Sequence, residues 1–165
     1  MTVLHSAGRA RFLMMISIAL TVSSLSFAQT YTVTDLGDSL GGNSSGARAV
    51  NASAQITGYA LVSGNNVSDV FLYGNATMTS LGTLGGTTGI GNGINISGQV
   101  AGYSTDSGGN YRAFISSGGH LANIGDLGGN AAVAYGINDL GQVVGTAVTS
   151  NGAPAGFLAF NESSE

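Results

Sequence analysis

Tyr59, Tyr103 and Tyr111 are the side chains best suited to hold a ligand. Tyr59 and Tyr103 occupy the same place in a recurring phrase, "QITGYALV" and "QVAGYSTD", and Thr146 stands there in a third copy. Aromatic faces stack on the apolar faces of sugar rings, so tyrosines at repeat spacing could line a glycan-binding surface. Half-buried strand tyrosines would show the same spacing with no ligand at all.

For catalysis the inventory is thin. Asp38 and Asp126 fall at equivalent positions of "LGDSLGG" and "IGDLGG", with Thr83 between them in the series. Two carboxylates about 5–10 Å apart can hydrolyse a glycoside, one as acid and one as nucleophile or base. Carboxylates capping exposed turns would look identical in sequence. His120 is the one histidine beyond the N-terminal leader. A triad needs it beside a serine and a carboxylate, and no G-x-S-x-G lies on a strand-to-helix turn. The nearest approach, "GGNSSGA" at Gly41–Ala47, has the wrong context.

No cofactor is expected, with calcium the one candidate ion in an acidic, oxygen-rich chain. The D-x-D-x-D-G loop is absent. "GGNSSG" and "GGTTGIGNG" loosely resemble glycine-rich calcium turns but carry no aspartate. Asn43, Asn51, Asn66, Asn75, Asn95 and Asn161 head N-x-[ST] triplets, glycan acceptors only in a eukaryotic secretory route. A chain rich in Asn, Ser and Thr makes such triplets by chance.

Composition excludes whole classes of partner. There is no lysine, and beyond the leader only Arg48 and Arg112 are basic, against eight carboxylates. A phosphate backbone or an anionic membrane surface needs a basic face, and none can be assembled. No cysteine is present, so thiolate metal sites and disulfides are out of reach.

Residues 1–28 read as a secretory signal peptide. His5, Arg9 and Arg11 precede the apolar run Phe12–Val22, and Ser26-Phe27-Ala28 is a small-x-small cleavage site. The apolar run is short for a membrane anchor. Cleavage would leave residues 29–165 as a single domain with no later segment apolar enough to span a bilayer. The expected location is the periplasm, the extracellular space or the cell surface.

What must position the tyrosines is a repeat. "LGDSLGG" (Leu36–Gly42), "LGTLGG" (Leu81–Gly86) and "IGDLGG" (Ile124–Gly129) each open a copy. "AVNASAQITGY" (Ala49–Tyr59), "GINISGQVAGY" (Gly93–Tyr103) and "GINDLGQVVGT" (Gly136–Thr146) follow, then "VFLYGN", "AFISSG" and "GFLAFN". The period is about 43 residues, which places repeats near 34–78, 79–121 and 122–163.

Alternation such as Ile56, Gly58, Ala60 and Val62 on one face predicts strands. Gly58, Gly102 and Gly145 weaken a strand from its middle, and close approach of a neighbouring backbone is the usual reason. The phrase from Asn95 to Gln99 predicts a hairpin capped by the Asn side chain, with Gly98 in positive φ. Ala54 replaces that glycine in the first copy, so its turn should be strained or differently shaped. The LG-LGG phrases read as turns between units, with leucines anchoring and glycines bending.

The expected fold is therefore all-β, with about four short antiparallel strands per repeat in propeller-like blades. A β-solenoid or small β-sandwich is the alternative. The strand "YTVTDLG" would complete the last blade and close a ring. Three blades fall below the usual range of about four to eight. Dimerisation into a larger ring, a stacked array or a fragment of a longer repeat protein would each account for that.

The chain resembles the HAF-type extracellular repeat of bacterial exported proteins, named for a His-Ala-Phe tripeptide. "TSLGTLGG", "GINISGQVAGYS" and "GINDLGQVVG" carry the resemblance, which runs from about Tyr31 to Phe160. The tripeptide itself reads Asp69-Val70-Phe71, Arg112-Ala113-Phe114 and Ala155-Gly156-Phe157, without histidine. The resemblance implies export and a β-repeat fold and brings no catalytic residues. Together these readings favour a non-enzymatic exported binding or surface-interaction module for a glycan or protein ligand, able to self-associate. A glycan hydrolase using Asp38 and Asp126 is the alternative.

Overall fold

The computed structural model describes residues 29–160. The expected signal peptide, residues 1–28, lies outside the described residues. The chain divides at Val33, and residues 29–33 of the first unit carry no strand.

The second unit is all-β, and the described residues contain no helix, hence none long and apolar enough to cross a membrane. Its strands form antiparallel meanders. The first joins β1 (Gly41–Val50), β2 (Ile56–Val62), β3 (Ser68–Gly74) and β4 (Thr77–Gly82). The second joins β5 (Gly85–Ile94), β6 (Val100–Asp106), β7 (Tyr111–Ser117) and β8 (His120–Asn123). Among the described residues the third holds β9 (Gly128–Ile137), β10 (Val143–Thr149) and β11 (Pro154–Ala159). One parallel bridge, Ser68 with Thr88, links the first two meanders into an eight-stranded sheet. Among the described residues no closed barrel or propeller is formed. The segment "YTVTDLG" lies in no strand, so the expected ring closure is not seen.

The sheets are out of phase with the sequence repeat. β4 straddles the boundary expected near residue 78, because its last residues, "TSLG", open the next copy of the phrase. Leu81 and Leu84 then pack on Val70, Ile94, Val100 and Phe114. Gly82 and Gly85 turn the backbone with φ of 78° and 103°. The phrase recurs because it carries the chain from the edge of one meander to the first strand of the next.

Successive meanders pack face to face with one offset. β5 lies across β1, β2 and β3, and β9 lies across β5, β6 and β7. The second meander is therefore covered on both sides, and Val100, Ala101, Gly102, Ser104 and Thr105 of β6 are all buried. That overrides the simple alternation expected of a strand with one wet face. Two apolar clusters fill the seams: Val70, Ile94, Val100 and Phe114 in one, and Ala101, Ala113, Ala132, Ala134, Val143 and Ala147 in the other. Buried hydroxyls are paired: Thr57 Oγ1 donates to the Phe71 carbonyl at 2.7 Å, and Ser116 Oγ accepts from Val100 N–H at 2.9 Å.

The predicted hairpins join the first two strands of each meander. Asn95 Oδ1 accepts from Gln99 N–H at 3.0 Å, and Asn51 and Asn138 cap their turns likewise. Ala54 sits at φ 57°, where Gly98 and Gly141 sit at 77°. The turn keeps its shape, so the residue carries the strain. A side chain in that region costs roughly 1–2 kcal/mol, and about half of the relief on its removal is offset because glycine loses more conformational freedom on folding. Ala54→Gly is expected to stabilise the protein by about 0.5–1 kcal/mol, read as a higher urea midpoint with unchanged slope.

Candidate functional site

Each meander carries a β-bulge at the same place. β1 pairs Ala47 with Gly58 and Ala49 with Thr57, leaving Arg48 extra. In β5 the extra residue is Asn92, and in β9 it is Tyr135. A bulge leaves one residue out of the ladder and re-aims its side chain. Because the meanders stack with one offset, the three bulges fall in a row.

Arg48, Asn92 and Tyr135 line an open groove of about 410 Å³ with Tyr103, Tyr111 and Val133. Tyr103 and Tyr111 meet edge to face, ring centres 5.5 Å apart at 76°. Asn92 Nδ2 donates to the Ala134 carbonyl at 2.8 Å, tying the amide across the seam. The Arg48 guanidinium lies 5.9 Å from the centre of the Tyr59 ring. Among the described residues Arg48 has no carboxylate partner, whereas Arg112 has two.

Of the three tyrosines singled out in the sequence, the fold brings Tyr103 and Tyr111 into one groove. Tyr59 stands beside it, under Arg48. Tyr135, Arg48 and Asn92 were missed. Each lies three residues before the turn asparagine, at a position whose residue type changes in every copy. That shared spacing was the available signal, but the bulge that gives it meaning is a property of strand pairing.

The carboxylates take other roles. Asp126 Oδ1 accepts from Gly128 N–H at 2.8 Å, and its Oδ2 pairs with Arg112 Nη1 at 2.6 Å. Thr83 makes the equivalent turn bond to Gly85 N–H at 3.2 Å. One oxygen of Asp126 therefore holds a turn and the other is paired with an arginine of β7. Asp38 is exposed before β1. His120 is exposed at the start of β8, next to the Gly118-Gly119 turn.

The calcium-like glycine phrases are not turns. "GGNSSG" opens β1 and "GGTTGIGNG" fills β5, where their glycines serve close strand packing. Among the described residues no three of His, Asp and Glu gather as metal ligands. Asn51 and Asn95, two of the triplet asparagines, are consumed in turn capping.

Arg112 also accounts for the one strongly displaced carboxyl among the described residues. Asp106 is pushed down from 3.8 to about 2, first by the Arg112 side chain at 2.9 Å, then by the Asn110 backbone N–H at 3.0 Å. Arg112 is raised in turn, chiefly by Asp106. A carboxyl lowered on folding contributes stability that is present above pH 3.8 and lost as the pH falls toward 2. Melting temperature is expected to fall across that window in the parent protein. Asp106→Asn should melt lower at pH 6 and show a flatter profile from pH 4 to 2.

Comparison with known protein families and with curated proteins returns no match.

Proposed function

We propose that this chain is an exported β-repeat module of the HAF type that binds a glycan without transforming it. In this reading the meanders are propeller-like blades stacked in series. The groove formed by the three aligned bulges carries the proposal. It gathers aromatic rings, an amide and an unpaired cation on rigid strands, the mixture that recognises a sugar by stacking and hydrogen bonding. Arg48, a cation with no carboxylate partner among the described residues, directs the preference toward sugars bearing a carboxylate.

The chain has no tryptophan, so its tyrosines are the sole strong intrinsic fluorophores. Titration with neutral and uronic-acid oligosaccharides is expected to perturb that emission, with calorimetry giving Kd. Tyr103→Ala and Tyr135→Ala should each weaken binding by about tenfold, near the 0.5–1.5 kcal/mol of an aromatic contact. Arg48→Gln should weaken the acidic ligands more than the neutral ones. Binding that ignores all three substitutions, or its absence across the panel, overturns the assignment. Release of reducing ends that is lost in Asp38→Asn with Asp126→Asn would instead favour a hydrolase.

A further inference from the structure

Among the described residues the stack has two unlike ends, and each lacks what the interior seams supply. We propose that a second copy of this chain docks head to tail. Its β1 lies across the open face of β9–β11, and its segment Thr30–Gly37 runs beside β11 as a fourth strand.

The interior seams provide the template. Leu72 and Ile115 hold equivalent places on β3 and β7, and each packs into the seam that follows its meander. The equivalent residue on β11, Leu158, is 56% exposed. Thr57 and Ala101 are fully buried at one position, and Val144 there is 50% exposed. At the opposite end, Ile94 and Ile137 insert into the seam before them, and Val50 in their place is 65% exposed. One end therefore presents the apolar face that receives a neighbour, and the other presents the side chain that enters it.

The polar groups match as well. Asn51 Nδ2 donates to the Asn95 carbonyl at 2.8 Å, and Asn95 Nδ2 donates to the Asn138 carbonyl at 3.1 Å. Each of these amides also donates to the glutamine of its own turn. Asn138 Nδ2 makes only that second bond among the described residues, to Gln142 Oε1. The next acceptor in the ladder is the Asn51 carbonyl of another copy.

The missing strand fits the same geometry. In the interior, the fourth strand leads through the LG-LGG phrase into the first strand of the next meander. "YTVTDLGDSLGG" leads into β1 in just that way. Leu36 and Leu40 already pack on Ala60, Phe71 and Met78, as Leu81 and Leu84 pack on the cluster of Phe114. Leu36 and Leu40 thus sit on the first meander, and in the head-to-tail contact the segment that precedes β1 of the second copy is the strand offered to β11. The two faces differ, so the contact is heterologous and builds either a closed ring or a filament.

Light scattering on the full chain, purified as the expression host delivers it, is expected to show mass rising with concentration to a dimer or beyond. Val50→Asp and Leu158→Asp should each remain monomeric. An equimolar mixture of the two variants should form a 1:1 heterodimer and nothing larger, because each retains one competent face. Asn138→Ala should weaken association several-fold. Both aspartate sites are exposed, and an unchanged melt and far-ultraviolet spectrum confirm that the variants fold. A parent protein monomeric at every concentration, or a mixture that stays monomeric while both variants are folded, overturns the proposal.

Discussion

Gly102→Ala is expected to destabilise the protein by more than about 3 kcal/mol, among the largest effects of any single methyl group in the chain. A Cβ at Gly102 would overlap the Ile90 carbonyl oxygen and lie 3.0 Å from the Gly91 Cα. Both are backbone atoms of the bulged strand β5, so no side-chain rotation relieves the clash. β6 is buried on both faces, and a shift of its backbone would open the seams on either side. Gly58 and Gly145 meet the carbonyl oxygens of Gly46 and Val133 in the same way. Gly156 is the control: a Cβ there meets nothing nearer than the Gly145 oxygen at 3.9 Å, and its φ is not positive. Gly156→Ala should change stability by less than about 0.5 kcal/mol. Urea denaturation of both variants checks the contrast, and equal effects would mean that the bulge can relax.

Asn95→Ala should cost about 3 kcal/mol, and Asn138→Ala about 1 kcal/mol. Asn95 is 2% exposed. Its side chain accepts from Gln99 N–H and donates to Gln99 Oε1 at 2.8 Å and to the Asn138 carbonyl. Removing it strands those partners inside the seam, where an unsatisfied polar group costs about 1–3 kcal/mol. Asn138 has the same turn bonds but is exposed, so water replaces what is lost. Asn95→Asp offers a sharper version. The carboxylate keeps the bond from Gln99 N–H but points an oxygen at two acceptors, and it should destabilise at least as much as alanine at pH 7. The measurement is again a denaturation midpoint, with the ranking Asn95 above Asn138 as the outcome that matters.

Much of the local structure was legible in the residues. Alternation placed the strands, and the N-x-x-G-Q phrase placed the hairpins because an asparagine cap and a left-handed residue are local requirements. The mid-strand glycines announced a close backbone approach. Ala54 announced strain, although the turn kept its shape and the residue bears the cost. Tyr103 and Tyr111 were visible as candidates, while Tyr135 was passed over. No periodicity marks a bulge, since a bulge is a mismatch between two strands and neither strand shows it alone.

The glycine-rich phrases lie in strands for a related reason. Glycine-rich runs such as "GGTTGIGNG" suit tight turns and closely packed strands equally well, and only the neighbour at van der Waals distance decides between them. The count of four strands per repeat holds in the first two meanders, and the third shows three among the described residues.

By itself the sequence determined the all-β class and the hairpin turns, because each depends on residues within a few positions of one another. Tertiary structure decided the rest. It aligned three bulges into a groove, assigned Asp126 to a turn and an arginine, and left Leu158 and Val50 bare at opposite ends. Those outcomes depend on the offset with which one meander lies on the next, a quantity set by side chains meeting across a seam about 43 residues apart in the chain.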